Sequence, residues 1–438
     1  MIRKDAEREL PYINHNRGLI TLSPLLVFFL IYVVSSLVAG DFYKMPVAIA
    51  FLAASGWAFM VCKPKRFAQR VERFSIGAAH SNIMMMIWIF ILAGAFASGA
   101  KHIGAVDAMV HLTLNTLPAN MLLPSVFLAA CLISLSIGTS VGTITALMPV
   151  AAGMATSAGV HAGMMAGAVV GGAFFGDNLS FISDTTIAAT RTQGCAMKDK
   201  FRANFRIVIP AAIGILLLYT VVGLQYETTA PQQQTNYALV LPYILVLVCA
   251  ICGMNVIKVL FMGIAATGIT ALCMPAVQML DWAGAMGTGI TGMGELIIVT
   301  LLAAGMLELI RYNGGLSYII SHLSAKIRGR RTAEVSIGMM AAMANLCTAN
   351  NTVAIVSVGN IARRIAKKYA IPPARTASLL DTSSCIVQAV IPYGAQLLSA
   401  ASLAGLSAMD IIPHLYYPFA MGICAIIAIC IGLKINKQ

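Results

Sequence analysis

The sequence predicts an all-α polytopic membrane protein, and three observations lead to this fold class. The 438-residue chain is 59% hydrophobic, only 10% of its residues are charged, and its mean hydropathy is +0.84. A soluble domain has about 25% charged and 45–50% apolar residues. The apolar residues also fall into runs close to the roughly 20 residues that a helix needs to cross a bilayer. This composition excludes a soluble enzyme, a disordered chain and a disulfide-rich scaffold.

Eight uninterrupted apolar runs predict full membrane crossings. The first follows a polar N-terminus and is too long for the core of a signal peptide, so we expect it to remain as a membrane helix. The basic stretch 63–74 predicts a helix that lies along the membrane surface. The eight runs are 20–39, 45–62, 83–100, 207–225, 237–253, 258–274, 293–310 and 412–433.

Four further apolar regions are interrupted by polar or glycine-rich residues. They are 121–158, 163–190, 335–366 and 375–408. Their breaks fall at Ser136–Thr143, Gly176–Thr186, Cys347–Thr352 and near Pro392–Gln396. We expect the first and third to be re-entrant hairpins and the other two to be broken helices that cross the membrane. Together with the eight runs, this predicts about ten crossings plus two hairpins.

The interrupted segments come in matching pairs, which predicts an internal repeat. Gly94 and Thr139 recur at equivalent places as Gly305 and Thr348, and the order of the elements is the same in each half. We expect five crossings in each repeat, and an odd number inverts the second repeat relative to the first. Such inverted repeats with broken helices place binding sites near the bilayer midplane. The predicted repeats span residues 1–226 and 227–438.

The distribution of positive charge predicts the topology. The net charge is +13. With the N-terminus inside, every lysine and arginine except Lys44 and Lys101 falls on a cytoplasmic segment, as the positive-inside rule requires. We therefore expect a multi-pass protein of the inner (plasma) membrane with both termini in the cytoplasm and no nucleic-acid partner. The same topology predicts no lysine or arginine at midplane depth.

Three aspartates, Asp177, Asp184 and Asp381, lie in the interrupted regions. An ionisable group at membrane depth is costly and is a functional candidate by default, although each could instead cap a half-helix. Hard cations prefer carboxylate, carbonyl and hydroxyl oxygens, so we expect the three aspartates to bind Na⁺. The accompanying candidates for the ion or substrate site are Thr139, Ser140, Thr143, Asn178, Ser180, Ser183, Thr185, Asn350, Asn351, Thr352 and Gln388.

Two motifs carry a resemblance to a known family. The segment Gly176-Asp-Asn-Leu-Ser-Phe-Ile-Ser-Asp-Thr-Thr186 resembles the motif Gly-Asp-x-x-Ser-Pro-Ile-Ser-Asp-Thr-Thr of NhaC-type Na⁺/H⁺ antiporters. The segment Gly138-Thr-Ser-Val-Gly-Thr143 resembles that family's Gly-Thr-Ser-Trp-Gly-Thr. Phe181 and Val141 depart from the two patterns. By this resemblance the site role falls on Asp177, Ser180, Ser183, Asp184 and Thr185, whereas Asp381 rests on its position alone.

The resemblance also implies an architecture and a range of substrates. The broader superfamily includes dicarboxylate/sodium symporters, which implies a homodimer in which a transport region moves as an elevator against a scaffold. The scaffold would be about 20–120 and 231–330, and the transport region about 121–226 and 335–433. The family contains exchangers of malate and lactate, and amino acids are a further substrate class. The predicted function is therefore Na⁺ (or Li⁺)/H⁺ antiport, with an H⁺- or Na⁺-coupled organic-anion or amino-acid transporter as the alternative.

The sequence gives less support to two other classes of protein, an intramembrane protease and a passive channel. A shared-proton pair of carboxylates at Asp177 and Asp381 could serve an intramembrane aspartyl protease, but no second motif supports this chemistry. A passive channel could use the same broken helices, although paired hairpins suit alternating access better. We expect no enzymatic activity and no cofactor beside the transported Na⁺ and H⁺.

Overall fold

A computed structural model describes residues 18–39, 45–63, 66–181, 183–226, 236–275, 277–325 and 327–432. All regular elements within these ranges are helical. Six helical stretches there are long and apolar enough to cross a membrane, or seven if one bent pair counts as a span. The predicted all-α membrane class is confirmed, while the count of ten crossings stays a prediction. Lys44 and residues 227–235 of the predicted second repeat lie outside the described residues.

The described residues of the first half form ten α-helices. Three predicted crossings correspond to α1, α2 and α4, and the basic stretch 63–74 overlaps α3. The helix α5 was not predicted, and α10 begins earlier than its apolar run because its first turns are polar. The bounds are α1 Gly18–Ala39, α2 Val47–Val61, α3 Phe67–Ala78, α4 Ser81–His102, α5 Ala105–Thr116, α6 Leu122–Ile137, α7 Ser140–Ala158, α8 Ala162–Leu179, α9 Asp184–Gln193 and α10 Met197–Gly223.

The described residues of the second half form eleven α-helices. A 3₁₀ turn at Tyr237–Val240 precedes α11, and another at Ile412–His414 precedes α21. The bounds are α11 Leu241–Ile251, α12 Val256–Leu272, α13 Met279–Gly292, α14 Gly294–Tyr312, α15 Gly315–Ala325, α16 Arg330–Leu346, α17 Asn351–Lys368, α18 Pro373–Val390, α19 Ala395–Ala404, α20 Ala408–Ile411 and α21 Tyr416–Ile431.

Helix breaks occur in all four regions where the sequence predicts them. Gly138 ends α6 in the left-handed conformation, with φ +74°, and α7 starts two residues later. The equivalent turn between α16 and α17 contains Ala349 with φ +46°, a left-handed value that is uncommon outside glycine. The other two breaks separate α8 from α9 and α18 from α19. Pro392 lies in the last of these and has no backbone N–H to donate to the preceding turn, which favours a break there.

Small residues bring the interrupted helices into close contact. A Cβ atom added to Gly172 of α8 would lie 2.5 Å from the carbonyl oxygen of Phe127 in α6. A Cβ on Gly176 would lie 2.5 Å from the backbone nitrogen of Leu135. Close approach through glycine is the usual way in which membrane helices pack, because lipid provides no hydrophobic drive between them. This packing fixes the C-terminal end of α8, where Asp177 lies, against the end of α6.

The remaining helices pack around these interrupted ones. The helix α4 contacts α12 and α13, while α14 contacts α2 and α3. The helix α9 contacts α17, α19 contacts α7, and α10 contacts α21. Elements that are far apart in the chain therefore meet in the interior, and the two halves interlock.

Candidate functional site

Asp177 lies in the last turn of α8 and is 5% exposed. Ser140, the first residue of α7, donates a hydrogen bond to its Oδ2 at 2.8 Å. Ser183, which follows the α8–α9 break, donates to its Oδ1 at 2.6 Å, and the Ser183 hydroxyl is 2.8 Å from that of Thr185. In the part of the chain that the structure describes, no lysine, arginine or histidine forms an ion pair with Asp177. The structure thus brings together four residues that the sequence singles out.

Hydrogen bonds connect this carboxylate to the second half of the chain. Gln396, at the start of α19, donates to the Ser140 hydroxyl at 3.0 Å. Gln388 donates to Gln396 Oε1 at 2.9 Å and to the carbonyl of Ala349 at 3.1 Å. Asp177 is therefore connected through amide side chains to the turn between α16 and α17. The side-chain oxygen of Gln388 is buried and has no hydrogen-bond partner among the described residues.

Asp381 occupies a different environment in the middle of α18. Its carboxylate forms an ion pair with Lys200 of α10, and both side chains are almost completely buried, at 0% and 1% exposure. Lys200 also donates to the carbonyl of Asn178 at 2.6 Å and to the Thr186 hydroxyl at 2.7 Å. Lys200 is therefore a basic side chain in the protein interior, while the absence of lysine and arginine at midplane depth stays a prediction. Lys200 belongs to a predicted cytoplasmic segment, but the structure includes it in a helix and buries it.

An asparagine pair completes the surroundings of Asp381. Asn178 and Asn204 donate to Asp381 Oδ2 at 3.2 and 3.4 Å. Asn204 also donates to the side-chain oxygen of Asn178 at 2.8 Å. Lys200 and Asn204 are four residues apart in α10 and therefore share a helix face. That spacing is the sequence signal that could have identified them, but both residues precede the apolar run and were assigned to a loop.

The turn of the second hairpin has its own polar contacts. Asn350 caps α17, because its side-chain oxygen accepts from the Val353 amide at 3.0 Å. Asn345 donates to Asn351 Oδ1 at 3.0 Å and to the carbonyl of Ser384 at 2.7 Å. Asn351 therefore lies in the interior against α18, the helix that contains Gln388. Asn350 therefore has a structural role at the start of α17 in addition to its proposed place in the site.

The other predicted residues are distributed more widely. Asp184 begins α9 and is exposed, outside the hydrogen-bonded group around Asp177. Ser180 is buried and donates to the carbonyl of Leu135 at 3.0 Å, which fastens the break to α6. Thr143 donates back to the carbonyl of Thr139, the residue before α7, at 3.0 Å. Thr352, in the first turn of α17, is half-buried.

A second buried ion pair lies away from these residues. Arg375 at the start of α18 donates to Glu334 of α16 at 3.0 Å, with exposures of 3% and 6%. This pair connects the second hairpin to the second broken helix. It is another basic side chain that the sequence places in a cytoplasmic segment and the structure buries.

These features together define a class of protein. Interrupted helices from both halves meet at a buried, hydroxyl-bonded carboxylate and a buried ion pair, inside a multi-pass helical chain. This arrangement is typical of secondary transporters. The chain belongs to the Na⁺/H⁺ antiporter family, whose model matches residues 15–224 and 233–433. The NhaC-type resemblance drawn from the two motifs is confirmed.

Characterised relatives cover most of the chain. It is 26% identical over 388 residues to the Na⁺/H⁺ antiporter NhaC of Bacillus subtilis, covering 80% of this chain and 83% of the relative. It is 21% identical over 423 residues to the malate-2H⁺/Na⁺-lactate antiporter of the same organism, covering 88% and 89%. It is 23% identical over 405 residues to the arginine/ornithine antiporter ArcD of Halobacterium salinarum, covering 83% and 82%.

Solved structures are more distant. The YdaH transporter of Alcanivorax borkumensis is 13% identical with a TM-score of 0.42, and the match covers 94% of this chain and all of that one. MtrF of Neisseria gonorrhoeae is 13% identical with a TM-score of 0.37, covering 84% of each chain.

Proposed function

We propose that this protein exchanges Na⁺ (or Li⁺) for H⁺ by alternating access, in the inner membrane with both termini in the cytoplasm. The observation that carries the proposal is Asp177, a buried carboxylate with two hydroxyl donors and no cationic partner among the described residues. An uncompensated buried charge is strongly unfavourable. A bound Na⁺ or a proton can each neutralise this carboxylate, so the two ions compete for it.

The three aspartates take unequal parts in this proposal. The carboxylate of Asp177 lies in direct contact with the hydroxyl oxygens of Ser140 and Ser183. Carboxylate and hydroxyl oxygens are the ligands that a hard cation prefers. Asp381 is already neutralised by Lys200, so Na⁺ would bind there only if the ion pair separates. Asp184 is exposed and would meet Na⁺ at the entrance to the site. We therefore rank Asp177 first among the proposed Na⁺ ligands and keep the other two as secondary ones.

The proposed mechanism uses two inverted repeats and an elevator-like motion in a homodimer. The interrupted pairs α6–α7 and α8–α9 recur as α16–α17 and α18–α19, which supports the repeats. The reciprocal packing of α4 on α12 and α13, and of α14 on α2 and α3, supports a scaffold built from both halves. Both hairpins and both broken helices would form the moving region, with Asp177 at its centre.

Proteoliposomes with an imposed pH gradient and a fluorescent pH reporter test the exchange. External Na⁺ or Li⁺ is expected to collapse the gradient, whereas K⁺ is not. Asp177→Asn keeps the size and most hydrogen bonds of the side chain but cannot balance the charge of a cation, so we expect it to abolish the response. Asp107→Asn, at the start of α5 and outside the site, is the matched control and should keep wild-type activity. Na⁺-dependent proton movement in Asp177→Asn would refute the assignment.

A buried Lys200 supports a second candidate function. A carrier of organic anions often uses a buried cation, and Lys200 could serve as one when its ion pair with Asp381 separates. In this alternative the site binds a small carboxylate or amino acid coupled to H⁺ or Na⁺. A ligand that binds only the native state raises its stability. Thermal stabilisation of the purified protein by malate, lactate or arginine, together with no response to Na⁺ alone in liposomes, would favour this function over cation exchange.

A further inference from the structure

A cavity of about 410 Å³ lies between the start of α16 and the end of α21, away from Asp177. Its walls include Leu323 of α15, Val335 and Met339 of α16, and Ile429 of α21. Val335 and Met339 are four residues apart on one face of α16 and are 48% and 45% exposed. In a chain that spans a membrane, such an exposed apolar wall faces the acyl chains of lipid.

One end of this cavity is strongly basic. Arg331 and Thr332 line it, and Arg328 and Arg330 are exposed next to them in the sequence. The nearby carboxylate of Glu334 is buried and already paired with Arg375 and, at 3.6 Å, with Arg330. Arg331 forms no hydrogen bond or ion pair with any other described residue. The charge at this end is therefore positive, and no described residue neutralises Arg331.

We propose that this cavity binds an anionic phospholipid, with the phosphate at Arg331 and an acyl chain along Val335 and Met339. A ligand that fits must be apolar at one end and anionic at the other, because the cavity is apolar along Val335 and Met339 and basic at Arg331. Basic pockets between membrane helices bind anionic headgroups for the same reason. The proposal does not depend on which substrate the protein transports.

Native mass spectrometry of the full-length protein in detergent tests the proposal. The protein is titrated with phosphatidylglycerol or with phosphatidylcholine that carries the same acyl chains. Phosphatidylglycerol is expected to bind more tightly to the wild type. Arg331→Gln is expected to weaken its binding about fivefold, since one basic residue near an anionic surface contributes about 1 kcal/mol. Arg364→Gln removes an exposed positive charge from the other arm of the hairpin and serves as the matched control.

A second variant tests the apolar wall. Val335→Trp fills the cavity from an exposed position, so the fold should tolerate it, and we expect it to reduce the binding of both lipids. Equal losses in Arg331→Gln and Arg364→Gln, or no preference for phosphatidylglycerol in the wild type, would overturn the proposal. Lipid-free dimers that Val335→Trp converts to monomers would also overturn it, because the cavity would then hold a second copy of the chain.

Discussion

At the scale of single residues, the ion pair between Lys200 and Asp381 makes a prediction about stability. Removing one member leaves the other charged and buried, which costs about 3–5 kcal/mol. We expect Lys200→Gln and Asp381→Asn each to lower the melting temperature of the purified protein strongly. The double variant has no unpaired charge, so it should recover more than half of either loss. If the losses simply add in the double variant, the two residues do not form a pair in the folded protein.

Lys200 also marks where sequence reasoning failed at this scale. The positive-inside rule assigns a basic residue to a loop unless something indicates its partner. That partner, Asp381, is in the other half of the chain, and no local pattern connects them. Asp177, Ser140 and Ser183 were predictable because short motifs contain them. The way in which Gln396 joins Ser140 to Gln388 was not predictable, because it depends on how the two halves pack.

At the scale of elements, exchanging glycine and alanine is expected to change stability in opposite directions at the two hairpin turns. Gly138 and Ala349 both adopt left-handed backbone conformations. This conformation costs an L-residue about 1–2 kcal/mol, whereas glycine pays about 0.5–1 kcal/mol more in chain entropy. We therefore expect Gly138→Ala to destabilise the protein and Ala349→Gly to stabilise it by less than about 1 kcal/mol.

Thermal unfolding of the purified variants measures both effects. Gly214→Ala in α10 is the matched control, because its backbone is helical and no atom lies within 4 Å of an added Cβ. That control should not lose stability, since alanine is the better helix former. A stable Gly138→Ala variant would mean that this turn is not held in the left-handed form.

Most of the helices were predictable from the sequence. The errors concern helices that are short or that begin with polar turns. Long apolar helices and all four breaks follow from hydropathy and from polar clusters. The helices α5, α13 and α15 are short, and hydropathy over a spanning window does not separate them from loops. The polar start of α10 was missed for a similar reason. Tertiary contacts, rather than apolar character, stabilise those first turns.

At the scale of the whole molecule, the proposed elevator predicts that some contacts must break during transport. A Cβ on Gly142 of α7 would lie 3.3 Å from the Cβ of Val256 in α12, close to the 3.5–4.5 Å of a disulfide. This contact joins the predicted transport region to the predicted scaffold. In a variant without native cysteines, Gly142→Cys with Val256→Cys should form a disulfide that stops transport, and reduction should restore it.

A control disulfide lies within the predicted transport region. A Cβ on Gly338 of α16 would lie 3.7 Å from the Cβ of Ser383 in α18. Oxidising Gly338→Cys with Ser383→Cys should leave transport in proteoliposomes unchanged, because these helices would move together. Equal activity of both oxidised double variants would contradict the elevator. Equal inactivation would mean that the region moves internally instead of as one body.

The ion pair between Lys200 and Asp381 has a consequence for how the protein is made. The ribosome delivers α10 with Lys200 well before it delivers α18 with Asp381. Lys200 lies in the first turn of α10, and burying its charge is costly while its partner is absent. We therefore expect Lys200 to stay hydrated until the second half arrives. The burial of Lys200 is consequently a joint event of both halves, and separately expressed halves should form a stable fold only when they are produced together.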